Sequence, residues 1–218
     1  MNFSQFSAVI FDMDGVLVDN HHAHFEAWMA FSKKYHFPLN DEIYLTNFNG
    51  KTNRDLFSMI FGDISEDRFQ ELVNEKEKMY QDIFSKNLKE HTGLTPFLKN
   101  LRQRNMKLAV GTSAPTMNVS FVLDRLDLRQ YFDVVVDGLM VTKGKPDPEI
   151  YLKCKSLLGV DNAIVFEDAL LGIESAKRAG CAVIGVATTH SRSELEGRVD
   201  SIVSDFIEAS RLFTQYPL

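Results

Sequence analysis

Acidic pairs that end apolar runs carry the chemistry of this chain. Val9-Ile10-Phe11 leads directly into Asp12-Met13-Asp14-Gly15, and Ala163-Ile164-Val165-Phe166 leads into Glu167-Asp168. Short apolar runs rich in β-branched and aromatic residues read as buried strands. A strand that ends in carboxylates presents them, and in an open parallel sheet the ligand crevice lies outside the carboxyl ends of the strands. Like charges gathered there raise one another's pKa unless a cation neutralises them, and ligation by carboxylate oxygens alone suits Mg²⁺. Two such pairs imply a magnesium site. Each pair taken alone has a plainer reading, because Asp and Gly are ordinary turn residues and Glu167-Asp168 also suits the N-cap of a following helix.

Two further segments end in polar groups. Lys107-Leu108-Ala109-Val110 runs into Gly111-Thr112-Ser113, where a hydroxyl either donates to a phosphate oxygen or bonds to nearby backbone. In Lys143-Gly144-Lys145-Pro146-Asp147-Pro148 the proline restricts Lys145 to extended backbone, which aims its side chain; the alternative is an ordinary surface lysine. A calcium loop of the EF-hand type is excluded, since Gly15 stands fourth from Asp12 instead of sixth and a strand precedes it. A dinucleotide fingerprint is excluded because Gly-x-Gly-x-x-Gly does not follow the first strand.

The elements that must position these residues alternate. Helical patterns over 94–104, 116–126, 147–158 and 169–179 separate strand patterns at 107–110, 132–136, 163–166 and 182–186, with Gly180 as a helix stop. This predicts an α/β fold, a doubly wound parallel-sheet, Rossmann-like core. After Asp19 the pattern turns wholly helical: Trp28, Phe31 and Tyr35 share one face of a helix that ends before Pro38, and 41–45, 53–61 and 65–84 follow as helices. The chain thus divides into a core, 1–18 plus 86–218, and an inserted all-helical cap, 19–85.

With 218 residues, 44% of them apolar and 17 of them Phe, the chain has ample material for a packed core. Its net charge of −6 argues against a nucleic-acid or anionic-membrane partner. Cys154 and Cys181 lie in apolar segments and read as buried free thiols, which fits a reducing cytoplasm; a secretory leader or membrane-spanning run is not expected.

In order and spacing, Phe11-Asp12-Met13-Asp14-Gly15-Val16, Val110-Gly111-Thr112-Ser113, Lys145-Pro146-Asp147-Pro148 and Phe166-Glu167-Asp168-Ala169-Leu170-Leu171-Gly172-Ile173 resemble the four motifs of the haloacid dehalogenase superfamily. The helical insertion, with Asp19-Asn20-His21-His22-Ala23-His24-Phe25-Glu26-Ala27-Trp28, is similar to the cap of its β-phosphoglucomutase-like branch. The resemblance implies Mg²⁺-dependent phosphoryl transfer on a small phosphorylated metabolite, such as a sugar phosphate. Asp12 is then the nucleophile that forms an aspartyl phosphate, and Asp14 the general acid and base. Asp12, the Asp14 carbonyl and Asp168 hold the metal, with Glu167 either a ligand or one step behind. Thr112 or Ser113, with Lys145, holds the phosphoryl oxygens. His24 would contact Asp14 when the cap closes, or is a helix residue without that role. Trp28 reads as cap core.

The cap loop departs from the branch. Its mutases carry a stretch resembling Lys-Gly-x-Ser-Arg that grips a second phosphate, whereas here Asn49-Gly50-Lys51-Thr52-Asn53-Arg54 puts Asn49 for the lysine and brings the arginine one position late. Gly50 and Arg54 stand either as substrate contacts or as a helix-start glycine and a surface arginine. Pro115 and Thr116 replace a serine and a lysine that the mutases place after the second motif. A mutase must grip phosphate at two places, so the departures favour a phosphatase. The alternative is a sugar phosphomutase of the β-phosphoglucomutase type, and a remoter one is a non-catalytic, receiver-like phosphate switch.

Overall fold

The computed structural model describes residues 5–48 and 51–215. In chain order its elements are β1 (Ala8–Phe11), α1 (His21–Tyr35), α2 (Asp41–Ile43) continued by a π-helical turn (Tyr44–Phe48), α3 (Asn53–Phe61), α4 (Glu66–Phe84), α5 (Leu94–Gln103), β2 (Lys107–Gly111), α6 (Thr116–Arg125), β3 (Val134–Val136), α7 (Glu149–Leu158), β4 (Ala163–Glu167), α8 (Leu170–Arg178), β5 (Ala182–Val186), α9 (Arg192–Leu195), β6 (Ser201–Val203) and α10 (Phe206–Gln215). They form two compact units, one of Met1–Asp19 with Lys89–Leu218, the other of Asn20–Leu88.

In the first unit the strands pair in parallel, in the order β3-β2-β1-β4-β5-β6. The order reverses between β1 and β4, and in open α/β sheets it is outside the carboxyl ends at such a point that ligands bind. All four residues of β1 are fully buried, because helices cover both faces. Ala8 and Ile10 share one buried cluster with Tyr151 and Cys154 of α7 and Ile173 and Ala176 of α8. On the other face Phe11 stacks on its register partner Phe166 at 5.1 Å, and both rings meet Phe97 of α5 and Phe206 of α10. Fully burying one such ring contributes roughly 1.5–3 kcal/mol, so Phe11→Ala would strip the support beneath Asp12.

The second unit is held by Trp28, Phe31, Phe48, Leu56, Phe57, Phe69, Leu72 and Val73, which places Trp28 in a hydrophobic core as its helical spacing predicts. Thr52 caps α3 in a reciprocal box with Asp55, and Ser65 caps α4 by accepting from the Arg68 N–H, with Glu66 and Asp67 in the first turn. Within this unit Lys76 and Glu77 are buried to 3% and 2% exposure and paired at 2.9 Å. Asn53 also donates to Glu77 at 2.7 Å, and the Lys76 ammonium lies 5.1 Å from the Trp28 ring centroid.

Several elements differ from expectation. The helix over 41–45 stops at Ile43 and widens into the π-turn, whose Tyr44 and Phe48 pack on Phe25 and Trp28 of α1. The third strand begins at Val134, because Phe132 closes a short 3-10 turn, Arg129–Tyr131, and packs against Phe11 instead. α7 starts at Glu149 and not at Asp147, because Pro148 disfavours helix in the residue before it. α9, β6 and α10 were not anticipated; β6 has only three residues, too few to show alternation, and exists through its pairing with β5. Cys154 and Cys181 are free and buried, as expected. Among the described residues no helix is long and apolar enough to cross a membrane.

The buried pair makes a prediction. Burial alone raises the Glu77 pKa, but Lys76, His24 and Asn53 outweigh it and hold the carboxyl below its ordinary value. Glu77 therefore adds stability that is present above its unfolded pKa and is lost as pH falls below about 4.5. Glu77→Gln should leave Lys76 buried without a counter-charge and destabilise the unit by about 3–5 kcal/mol at neutral pH, measured by urea denaturation.

Candidate active site

β1 delivers Asp12 at its carboxyl end, where the Asp12 N–H still donates to Phe166 at 3.0 Å and so continues the ladder into the polar residue. Neighbouring β4 delivers Glu167 and Asp168 beside it. Asp12, Glu167 and Asp168 are buried, and one carboxylate oxygen from each lies within 4.8 Å of the others. Into this acidic cluster Lys145 projects its ammonium, 2.7 Å from Asp12 Oδ1 and 2.5 Å from Glu167 Oε1. The lysine is thus a part-buried bridge between the two strand ends, with Pro146 next to it in the chain.

Glu167 is held on every side. Its Oε1 accepts from Lys145 and from the Tyr151 hydroxyl at 2.7 Å, while Oε2 accepts from the Asp168 and Ala169 N–H groups at 2.9 and 3.0 Å. Burial, with Glu167 beside it, pushes the Tyr151 phenol well above its ordinary pKa, so it remains a donor. Gly172 in the first turn of α8 makes room, since a Cβ there would lie 1.7 Å from Glu167 Oε1.

Asp14 stands two residues past Asp12, in a turn where Gly15 has φ +79° and its N–H donates to Val18 at 2.8 Å. Thr112 follows β2 and is buried. Its hydroxyl oxygen accepts from the Ala114 N–H at 3.1 Å, a bond that uses the oxygen and leaves the O–H as a donor. Ser113 is exposed, and its backbone is backed by Gly138, where a Cβ would meet the Ser113 carbonyl at 2.4 Å.

One ammonium faces three buried carboxylates here. Burial pushes Asp12 well above its ordinary pKa; Lys145 opposes this, and Glu167, Asp168 and Asp14 add to it. Burial disfavours the charged form of Lys145 as well, but Asp12 and Glu167 outweigh it and keep the ammonium protonated. Further positive charge beside Asp12 would favour its anion, and the donors on offer are all hard oxygens, a set that fits Mg²⁺.

The remaining sequence candidates belong to the helical unit. His24 stacks on Tyr80 with centroids 4.0 Å apart, and its Nε2 lies 3.4 Å from Asn20 Nδ2. Arg54 is bonded to both oxygens of Glu66 at 2.9 Å and lies 3.9 Å from the Phe69 ring centroid. Gly50, with Asn49, lies outside the described residues. The residues that sequence reasoning missed are Tyr151, hidden within an amphipathic helix, and Thr188-Thr189, which follow β5. Thr188-Thr189 carried the signal that singled out Thr112-Ser113, a strand ending in polar groups.

The close fit at Gly172 is testable. Gly172→Ala should displace Glu167 and cost about 1–3 kcal/mol in denaturation, whereas Tyr151→Phe, which removes one donor, should cost about 1 kcal/mol.

Comparison with known proteins agrees with this geometry. Residues 9–186 match the family model for haloacid dehalogenase-like hydrolase. The chain is 38% identical over 179 residues to a phosphorylated carbohydrates phosphatase of Thermotoga maritima, across 79% of this chain and 81% of that one. It is 32% identical over 188 residues to the beta-phosphoglucomutase of Bacillus subtilis, across 82% of each. A crystal structure of a family IA, variant 3 HAD hydrolase from Entamoeba histolytica aligns with a TM-score of 0.85 at 30% identity, covering 93% of this chain and 95% of that one. The acidic strand ends bridged by Lys145 thus occur in a chain that belongs to the haloacid dehalogenase-like hydrolase family, as an enzyme of its phosphatase and phosphomutase kind.

Proposed function

We propose that this enzyme is a phosphatase that hydrolyses a small phosphorylated carbohydrate through an aspartyl phosphate on Asp12, with Mg²⁺ as cofactor. The observation that carries the reading is the Lys145 ammonium held between Asp12 and Glu167, with Asp168 completing an oxygen cluster at the sheet's switch point. Asp12, Asp168 and the Asp14 carbonyl would hold the metal. Glu167, whose oxygens each accept two hydrogen bonds, stands behind them and orients Lys145. Bound Mg²⁺ supplies positive charge against the phosphoryl oxygens.

Phosphoryl transfer is chiefly positioning and charge stabilisation. An Asp12 oxygen forms a bond to phosphorus as the ester P–O bond breaks, and the Asp14 carboxyl gives its proton to the departing alcohol oxygen. Asp14 then takes a proton from water, whose oxygen displaces Asp12 from phosphorus and releases inorganic phosphate. The Thr112 hydroxyl and the Lys145 ammonium donate to the phosphoryl oxygens, with Ser113 beside Thr112. The helical insertion, 19–85, is assigned as the cap that sets substrate choice. Two buried free thiols fit a reducing compartment such as the cytoplasm.

The relatives' names support both a phosphatase and a mutase. Arg54, which arrives one position late against the arginine of the mutases' cap loop, pairs with Glu66 and lies over Phe69, and this favours water as the acceptor. Phosphate release should be measured across a panel of sugar monophosphates with Mg²⁺. Asp12→Asn should reduce kcat by about 10⁴-fold or more, and Lys145→Ala by about 10²–10³-fold. Chelation should abolish turnover, and restored Mg²⁺ should recover it. Conversion of β-glucose 1-phosphate to the 6-phosphate, primed with a bisphosphate, should lag behind hydrolysis; faster conversion would establish the mutase instead.

A further inference from the structure

Two hydroxyls outside this scheme stand where β5 ends. The Ala187 N–H donates to Val203 and the Thr188 N–H folds back to Val186, both at 2.9 Å, so the chain leaves the sheet in a tight turn. From that turn Thr188 Oγ1 donates to the Gly15 carbonyl at 2.6 Å. The next residue, Thr189, donates through Oγ1 to Asp168 Oδ2. One strand end therefore grips both acidic segments, the turn that carries Asp14 and the carboxylate that follows β4.

The two grips act on different atoms. Holding one oxygen of Asp168 sets the direction of the other, because the carboxylate is planar. At Gly15 the N–H is tied to Val18 and the carbonyl to Thr188. In a trans peptide C=O and N–H point opposite ways, so the bond from the Gly15 N–H also orients the Asp14 carbonyl. The Thr188 bond locks the peptide that follows.

We propose that Thr188 and Thr189 are positioning residues for the metal-holding oxygens, Thr189 through the Asp168 carboxylate and Thr188 through the turn that presents the Asp14 carbonyl. This rests on the assignment of Asp12, Asp14 and Asp168 as the oxygens that hold Mg²⁺. Groups that orient ligands from behind typically change metal affinity by about 10–100-fold when removed.

The test is calorimetric titration of Mg²⁺ alone into metal-stripped protein, with the metal-free Tm recorded for each variant. Thr189→Val and Thr188→Val should each weaken binding by about tenfold or more, while Thr189→Ser and Thr188→Ser, which keep the hydroxyl, bind as wild type. Thr189→Ala carries the same expectation should the valine variant not fold. Wild-type affinity in the valine variants, with only the metal-free Tm lowered, would mean a purely structural brace and overturn the inference alone. A wild-type protein that takes up no Mg²⁺ would overturn the metal assignment and the inference with it.

Discussion

The ammonium of Lys145, held between the buried carboxylates of Asp12 and Glu167, is the interaction on which the site depends. An isolated buried charge is costly, and three carboxylates brought together without compensation would protonate instead of serving as anions. One lysine offsets part of that repulsion and ties β1 to β4 through their side chains as well as their ladder. Three buried carboxylates thus share this one ammonium among them. Breaking such a bridge leaves an uncompensated charge, which explains why so much surrounding structure, from Tyr151 to Gly172, holds its members in place.

The sheet makes this concentration of charge affordable. Parallel strands with helices on both faces bury their middles completely and release polar residues only at their carboxyl ends. Phe11 and Phe166 stack just before Asp12 and Glu167, so the most apolar layer of the unit directly supports its most polar one. The backbone ladder runs on through Asp12, Glu167 ends β4, and Asp168 and Ala169 alone separate β4 from α8, so the carboxylates sit at the very ends of regular elements.

The helical unit follows the same physics in another setting. Its core is a cluster of aromatic rings around Trp28, yet α4 carries Lys76 and Glu77 as adjacent buried residues that compensate each other. Arg54 lies over the Phe69 ring with its charge met by Glu66, so a side chain singled out by its place in the loop has packing and pairing partners within its own unit.

Local pattern was enough to read much of this protein. Apolar runs ending in Asp12, Thr112 and Glu167, with helices between them, determine a parallel sheet with polar strand ends, and the helical periodicity after Asp19 determines an inserted α domain. Those features are legible because burial imposes a period on neighbouring residues. What only the tertiary structure decided are the pairings across long stretches of chain. Lys145 meets Asp12 from 133 residues away, and Thr188 meets Gly15 from 173. Tyr151 in its sequence is one more apolar helix residue, and only the register of α7 on the sheet turns its hydroxyl toward Glu167. Gly172 is ordinary in a helix until that carboxylate fills the space of its missing Cβ. β6, three residues long, has too little sequence to announce itself and is a strand because β5 offers it an edge. Periodicity encodes which side of an element faces inward, whereas the partner it finds there depends on how distant segments pack.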